Sequence, residues 1–190
     1  MTAAVDAPHI GLVVEGEGEI PAVPLLLRRW LQQKGDFRDL LGKPISCYGR
    51  DKALRPKGLE GKVATAGARP GCRAVLVLLD GEGDPVCRLG PKLLKRASAV
   101  IGIPVEVCLA DPNYEAWFLA SSETLGLPKL SFGMQNNPAA AVKAALMPNK
   151  YVKPTWQPRL TDRMDIDLAR SRDISLARAL SKFDDLVALI

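Results

Sequence analysis

The chain has 190 residues, 47% hydrophobic and 25% charged, with 26 Lys and Arg against 21 Asp and Glu for a net charge of +5. This is the composition of one folded domain, since a chain of this length buries about 70% of its unfolded surface and needs no disulfide or metal staple to hold a core. No apolar run is long enough to cross a bilayer, and the opening MTAAVDAPHI lacks the basic start and apolar core of a signal peptide, so a soluble, cytoplasmic protein with no membrane contact is expected.

Ile10 to Val14 (IGLVV) is a short apolar run suited to a buried strand, and it stops at Glu15. Ile20, Val23, Leu27, Trp30 and Leu31 then recur at helical spacing. Pro21 and Pro24, tolerated only in or before a first turn, mark where that helix starts. Ile45 to Tyr48 reads as a weak second strand, and the basic, Gly-rich stretch from Gly49 to Gly71 holds one helix near Leu59 to Ala68. Ala74 to Leu79 (AVLVLL) is the strongest strand in the chain and stops at Asp80. A helix between Pro91 and Val100, a strand from Val105 to Leu109 and a helix from about Asn113 to Ser121 follow. Continuous apolar strands alternating with helices predict an α/β fold, with a mostly parallel sheet of about four strands covered by helices on both faces over residues 1–125.

Past Gly126 the pattern changes to a C-terminal helical extension, residues 126–190, expected to pack on that core within a single domain. A Pro- and Asn-punctuated stretch leads to an Ala-rich helix near Pro138 to Met147. YVKPTWQPRL follows, predicted to be irregular because of Pro148, Pro154 and Pro158. Helices over Asp162 to Arg170 and Ser175 to Leu189 close the chain. Leu176, Leu180, Phe183, Val187 and Ile190 make an apolar stripe that suits either packing on the chain's own sheet or docking on a partner.

An open parallel sheet binds ligands at the carboxyl ends of its strands. Three of the expected strands end in acids there: Glu15, Glu17 and Glu19 in E-G-E-G-E; Asp80, Glu82 and Asp84 in D-G-E-G-D; and Asp111 with Glu115 one helical turn on. Eight of the 21 acidic residues would thus share one edge of a basic body. Like charges so placed raise one another's pKa or recruit a cation. Mg²⁺ suits such a site, taking one or two carboxylates and keeping several waters. Helix N-termini follow the same strands and favour acids in their first turn, which is a competing account of Glu19 and Asp111 in particular.

The remaining chemistry narrows the choice. His9 is the only histidine, which leaves no centre for a zinc hydrolase or a Ser-His-Asp triad. Cys47, Cys72, Cys87 and Cys108 are widely spaced, so buried reduced thiols are expected rather than a zinc site or redox dithiol. Gly16, Gly18 and Pro21 do not complete G-x-G-x-x-G, and no P-loop occurs.

Val14-Glu15-Gly16-Glu17-Gly18-Glu19 after one strand and Leu79-Asp80-Gly81-Glu82-Gly83-Asp84 after another resemble the Toprim (topoisomerase-primase) domain. Glu115-Ala116-Trp117-Phe118-Leu119-Ala120, Lys150-Tyr151-Val152-Lys153-Pro154 and Ser175 through Phe183 resemble, more narrowly, uncharacterised-domain family 4276, a Toprim-like group of bacterial proteins. The resemblance implies a Toprim-like (Rossmann-like) sheet and a nuclease using Mg²⁺ or Mn²⁺. It also implies an ATPase partner of the ABC or AAA type in phage defence or repair. Glu15 would be the Toprim glutamate and Asp80 the first aspartate of D-x-D, with Glu82 in place of the usual second aspartate and Asp84 as its possible substitute. Glu19 matches the second acid of E-G-x-x-E and Glu115 the E-x-W stretch, where a further ligand or positioning role is expected.

Lys153 is a candidate transition-state cation, with a solvated surface lysine as the alternative. Trp117 and Trp156 have base stacking or core packing open to them. Arg170, Arg172, Arg178 and Lys182 suit a phosphate track or a solvated helix face. Two functions follow: phosphodiester hydrolysis of DNA or RNA, with Glu15, Asp80, Glu115 and Lys153 at the reaction and Glu15, Glu19, Asp80, Glu82 and Asp84 as metal ligands; or a non-catalytic metal-binding interaction subunit that docks on an ATPase through the C-terminal stripe.

Overall fold

The computed structural model describes residues 7–133 and 137–190. Four parallel strands form one sheet in the order β2-β1-β3-β4: β1 (His9–Val14), β2 (Ile45–Ser46), β3 (Cys72–Asp80) and β4 (Val105–Ala110). Helices α1 (Glu19–Gln33), α2 (Arg50–Leu54), α3 (Gly58–Gly67), α4 (Val86–Ser98) and α5 (Glu115–Ala120) alternate with the strands, and a short 3₁₀ turn (Ser122–Thr124) follows. Then come α6 (Pro138–Ala145), α7 (Lys153–Arg163), α8 (Ile166–Arg172) and α9 (Ile174–Val187). The expected fold class holds, and α2 is an addition to it. Residues 134–136, within the stretch after Gly126, lie outside the described residues.

Successive strand side chains point to opposite faces, and both faces of this sheet are dry. Ile10, Leu12 and Val14 of β1 pack with Leu76 and Leu78 of β3 against α1, α5 and α7 to α9. Val13, Val75, Val77, Leu79 and Val107 pack on the other face against α2, α3 and α4. Burial on both sides is why these strands are continuous apolar runs rather than alternating ones. Among the described residues, no helix is long and apolar enough to cross a membrane.

The largest departure from the sequence reading is α7. YVKPTWQPRL is not irregular: from Lys153 onward it is helical, with Pro154 in the first turn and Pro158 inside. Pro24 in α1 and Pro91 in α4 sit inside their helices in the same way. Each lies within the first two turns, so the helix forgoes one internal hydrogen bond while packing holds it together. For α7 that packing is against α1, where the Arg29 guanidinium donates to Met164 O at 2.9 Å.

The C-terminal stripe faces inward. Leu176, Leu180 and Phe183 are fully buried against the sheet, and Val187 and Ile190 pack partly buried on the same cluster. The stripe is part of the core, while Ile174 at the start of α9 is exposed. Cys47, Cys72 and Cys108 are buried and free as expected, whereas Cys87 is exposed. Burial pushes the Cys47 thiol up to about 11 and the Cys108 thiol to about 12, which keeps both protonated and unreactive near neutral pH.

Ser175 ties α9 to the strand ends. Its hydroxyl accepts from Trp117 Nε1 at 2.8 Å and from the Asp111 amide at 3.1 Å, and donates to Asp173 Oδ1 at 2.6 Å. Trp117 is fully buried, so it serves the core and cannot stack on a base. Ser175→Ala strands the buried indole N–H and is expected to cost about 1–3 kcal/mol in urea unfolding. A change below about 0.5 kcal/mol, the size of an ordinary surface substitution, would contradict this role.

Candidate metal centre

Register brings the acids together. Val14 pairs with Leu78, so Glu15 follows β1 beside the last residues of β3, and Asp80 ends that strand opposite Ala110 of β4. The Asp80 amide donates to Glu15 Oε2 at 2.9 Å, and the Tyr114 amide donates to Asp80 Oδ1 at 2.9 Å. Each carboxylate thus grips the backbone of the neighbouring segment, and both are buried. Glu15, Asp80 and Glu82 each bring an oxygen to within 4.8 Å of the others. Glu82 is the exposed member, and its φ of +47° lies in the left-handed region that turns the D-G-E-G-D loop over the strand end.

Behind this trio lies a second layer. Glu19, in the first turn of α1, accepts from the Gly16 amide at 3.0 Å and from Gln157 Nε2 at 3.0 Å. The same Gln157 nitrogen donates to Glu115 Oε1 at 3.2 Å, and Tyr151 donates its hydroxyl to that oxygen at 2.7 Å. Lys153 Nζ stands 3.6 Å from Glu115 Oε1, 3.7 Å from Asp80 Oδ2 and 3.9 Å from Glu19 Oε1. It faces three carboxylates, with its side chain 42% exposed. Glu115 Oε2 and Gln157 Oε1 are buried with no hydrogen-bond partner among the described residues.

Lys153 and Gln157 are one helical turn apart and reach the acids because α7 lies close against the first acidic loop. Gly18 permits the approach: a Cβ there would sit 2.8 Å from Lys153 Cβ and collide with the Gln157 amide. Gln157 and Tyr151 were missed as site residues. The spacing of Lys153, Gln157 and Thr161 at intervals of four is a visible helical signal that the flanking prolines concealed.

The other candidates lie elsewhere or are engaged. Asp84 pairs with the Arg50 guanidinium, which also donates to Asp80 O at 3.3 Å and Gly81 O at 3.1 Å and approaches Glu82 at 3.9 Å. Arg50 therefore clamps the second acidic loop from outside. Glu17 and Asp111 are exposed. Arg170 lies 5.0 Å over the Trp30 ring, and Arg172 pairs with Glu123 at 2.8 Å. Lys182 donates to Val107 O at 3.0 Å and pairs with Glu106, covering the edge of β4. Arg178 is exposed beside a cavity of about 260 Å³ between α4, β4 and α9. Trp156 is half-buried, its Nε1 donating to Lys150 O at 3.0 Å.

Electrostatics match a cation site. Burial, then the Glu19 and Glu82 charges, raise the Glu15 carboxyl to about 7 against the Asp80 hydrogen bond. Burial, then the Glu15 charge, raise Asp80 to about 8 in spite of Lys153. Lys153 itself is pulled down by burial, but Glu115, Asp80, Glu19 and Glu15 outweigh this and raise it, so its positive charge is secure. The donor set fits Mg²⁺ or Mn²⁺: the oxygens are all carboxylate, clustered, and in excess of what one ammonium neutralises. No protein-family model, curated protein or solved structure matches this chain. Its chemistry has to be read from the site.

Because Glu15 and Asp80 hold protons in the fold that the unfolded chain releases near about pH 4, the stability they contribute is complete below that pH and lost as pH rises through 7 and 8. Thermal melts in EDTA are expected to show Tm falling from about pH 5 to pH 8, with Mg²⁺ restoring it at pH 8 by binding the folded state. Asp80→Asn, which keeps the oxygen that accepts from Tyr114, should flatten this fall and abolish the Mg²⁺ effect. A Tm that rises with pH in EDTA would contradict the assignment.

Proposed function

We propose that this protein is a divalent-cation-dependent nuclease that hydrolyses phosphodiester bonds of DNA or RNA. The observation that carries the reading is the convergence of Glu15, Asp80 and Glu82 at the carboxyl edge of two adjacent parallel strands, with Lys153 reaching Asp80 of that trio. Glu15, Asp80 and Glu82 would hold Mg²⁺ or Mn²⁺, which when bound activates water and neutralises charge on the departing oxygen.

The chain's own residues supply the rest. Lys153 brings a protonated amine to the acid edge, where it can follow the negative charge that builds on phosphorus oxygens in the transition state. Gln157 and Tyr151 hold Glu115 and Glu19 in place through their donated hydrogen bonds, and so position the lysine among them. Arg50 fixes the loop that carries Glu82. The basic excess of the chain favours a polyanionic substrate. The Toprim resemblance adds an ABC- or AAA-type ATPase partner in bacterial defence or repair. Since the stripe of α9 is buried, such a partner would dock elsewhere.

Incubation of labelled DNA and RNA strands with Mn²⁺ should give cleavage that Asp80→Asn abolishes and Lys153→Met lowers about 10²- to 10³-fold, as for loss of one transition-state charge contact. Calorimetry should show Mn²⁺ binding lost in Glu15→Gln. Cleavage that persists in Asp80→Asn overturns the reading. Mn²⁺ binding without cleavage, with or without an ATPase, favours a non-catalytic metal-binding subunit instead.

A further inference from the structure

Immediately after β2 the chain does something costly. Tyr48 has a φ of +60°, a conformation that a bulky side chain rarely adopts, and Gly49 follows at +104°. Strain of this kind persists when the surrounding structure fixes it, and it gathers at ligand sites. Burial does not compensate for it here. Tyr48 is 61% exposed and belongs to neither core cluster.

What fixes the turn is the acid edge itself. The Gly49 amide donates to Glu15 O at 2.8 Å, the Ser46 hydroxyl donates to the same oxygen at 3.4 Å, and the Tyr48 amide donates to Ser46 Oγ at 2.9 Å. Arg50, two residues on, reaches Asp80 O and Gly81 O. The aromatic ring is therefore carried on a segment bonded to the backbone of both strand ends that supply the metal centre. Around it stand two ammonium groups: Lys62 of α3 is 4.6 Å and Lys52 of α2 is 5.4 Å from the ring centroid.

We propose that Tyr48 is a stacking platform for a base of a single-stranded polynucleotide entering the acid edge, with Lys52 and Lys62 taking the adjacent phosphates. Proteins that hold single strands pair an exposed aromatic face with a basic groove, because every base has a π-face and every link a negative charge. Arg170 lies over the Trp30 ring and Arg172 pairs with Glu123, whereas Lys52 and Lys62 lie over the Tyr48 ring itself and neither forms an ion pair among the described residues. The proposal rests on the nuclease reading for its substrate class and names the substrate's form: a strand with unpaired bases.

The test separates the two. Binding of an oligothymidylate strand, and of an abasic strand of equal length, is measured by fluorescence anisotropy in Ca²⁺ for wild type, Tyr48→Ala, Tyr48→Phe and Lys52→Ala/Lys62→Ala, each checked for folding by circular dichroism. Tyr48→Ala should weaken oligothymidylate binding about 5- to 150-fold while leaving the abasic strand unchanged, and Tyr48→Phe should bind as wild type. The double lysine variant should weaken both strands and reduce the salt dependence of binding. Equal affinity of wild type and Tyr48→Ala for oligothymidylate overturns the proposal, even where Mn²⁺-dependent cleavage is intact. A Tyr48-dependent loss of binding in a protein that cleaves nothing sustains the platform and overturns the nuclease reading. Wild type that binds no strand, or that prefers a duplex irrespective of Tyr48, overturns the platform.

Discussion

The hydrogen bond from the Asp80 amide to Glu15 Oε2 joins the ends of two parallel strands and governs what the rest of the site has to do. It places two carboxylates where desolvation disfavours their charge, and neighbouring acids add to the penalty. Everything close by answers that problem: the Tyr114 amide on Asp80, the Gly16 amide on Glu19, the Lys153 ammonium among three acids. These donors do not exhaust the carboxylate oxygens. Among the described residues Glu115 Oε2 stays buried and unpaired, as does the amide oxygen Gln157 Oε1, and an unpaired buried carboxylate oxygen is one that a hard cation can satisfy.

The C-terminal region takes part in this balance. α7 brings Lys153 and Gln157 to the acid edge while its Thr161 meets the buried Tyr114 hydroxyl at 3.0 Å. α9 fills the sheet face beside β4, and its Ser175 accepts from the Trp117 indole. The site is thus completed by residues more than a hundred positions from Glu15. Loss of the C-terminal helices would remove the charge compensation along with the packing on α1 and the sheet.

Charge is arranged in depth across the molecule. Carboxylates converge at the strand ends, Arg50 and Lys153 stand around them, and Tyr48 with Lys52 and Lys62 forms an aromatic and basic margin. Several cations that a sequence places on helix surfaces serve the fold instead. Arg96 binds Glu60 with a two-pronged contact and also the carbonyls of Leu54 and Arg55, joining α4 to α2 and α3. A net charge alone therefore says little about which basic groups face a substrate.

Local patterns carried most of the fold. Uninterrupted apolar runs identify β1 and β3 because a strand buried on both faces has no polar position to alternate with, whereas the edge strand β4 carries Glu106 within its run, and the acids that end β1 and β3 are adjacent to them in the chain. Prolines misled the reading of residues 151–160, since their local preference was overridden by packing of α7 on α1. Gln157 and Tyr151 were hidden with that helix, and Tyr48 was not recognisable because its exposure and positive φ are properties of the folded backbone. Which carboxylates meet was decided by the strand order β2-β1-β3-β4 and by register, which put Glu15 beside Asp80 while Arg50 drew Asp84 aside. Those contacts join residues 34 to 138 positions apart. The amino-acid sequence by itself set the elements and the chemistry at their ends; strand order, burial and charge pairing depend on the whole chain closing on itself, and only the tertiary structure could assemble those ends into one site.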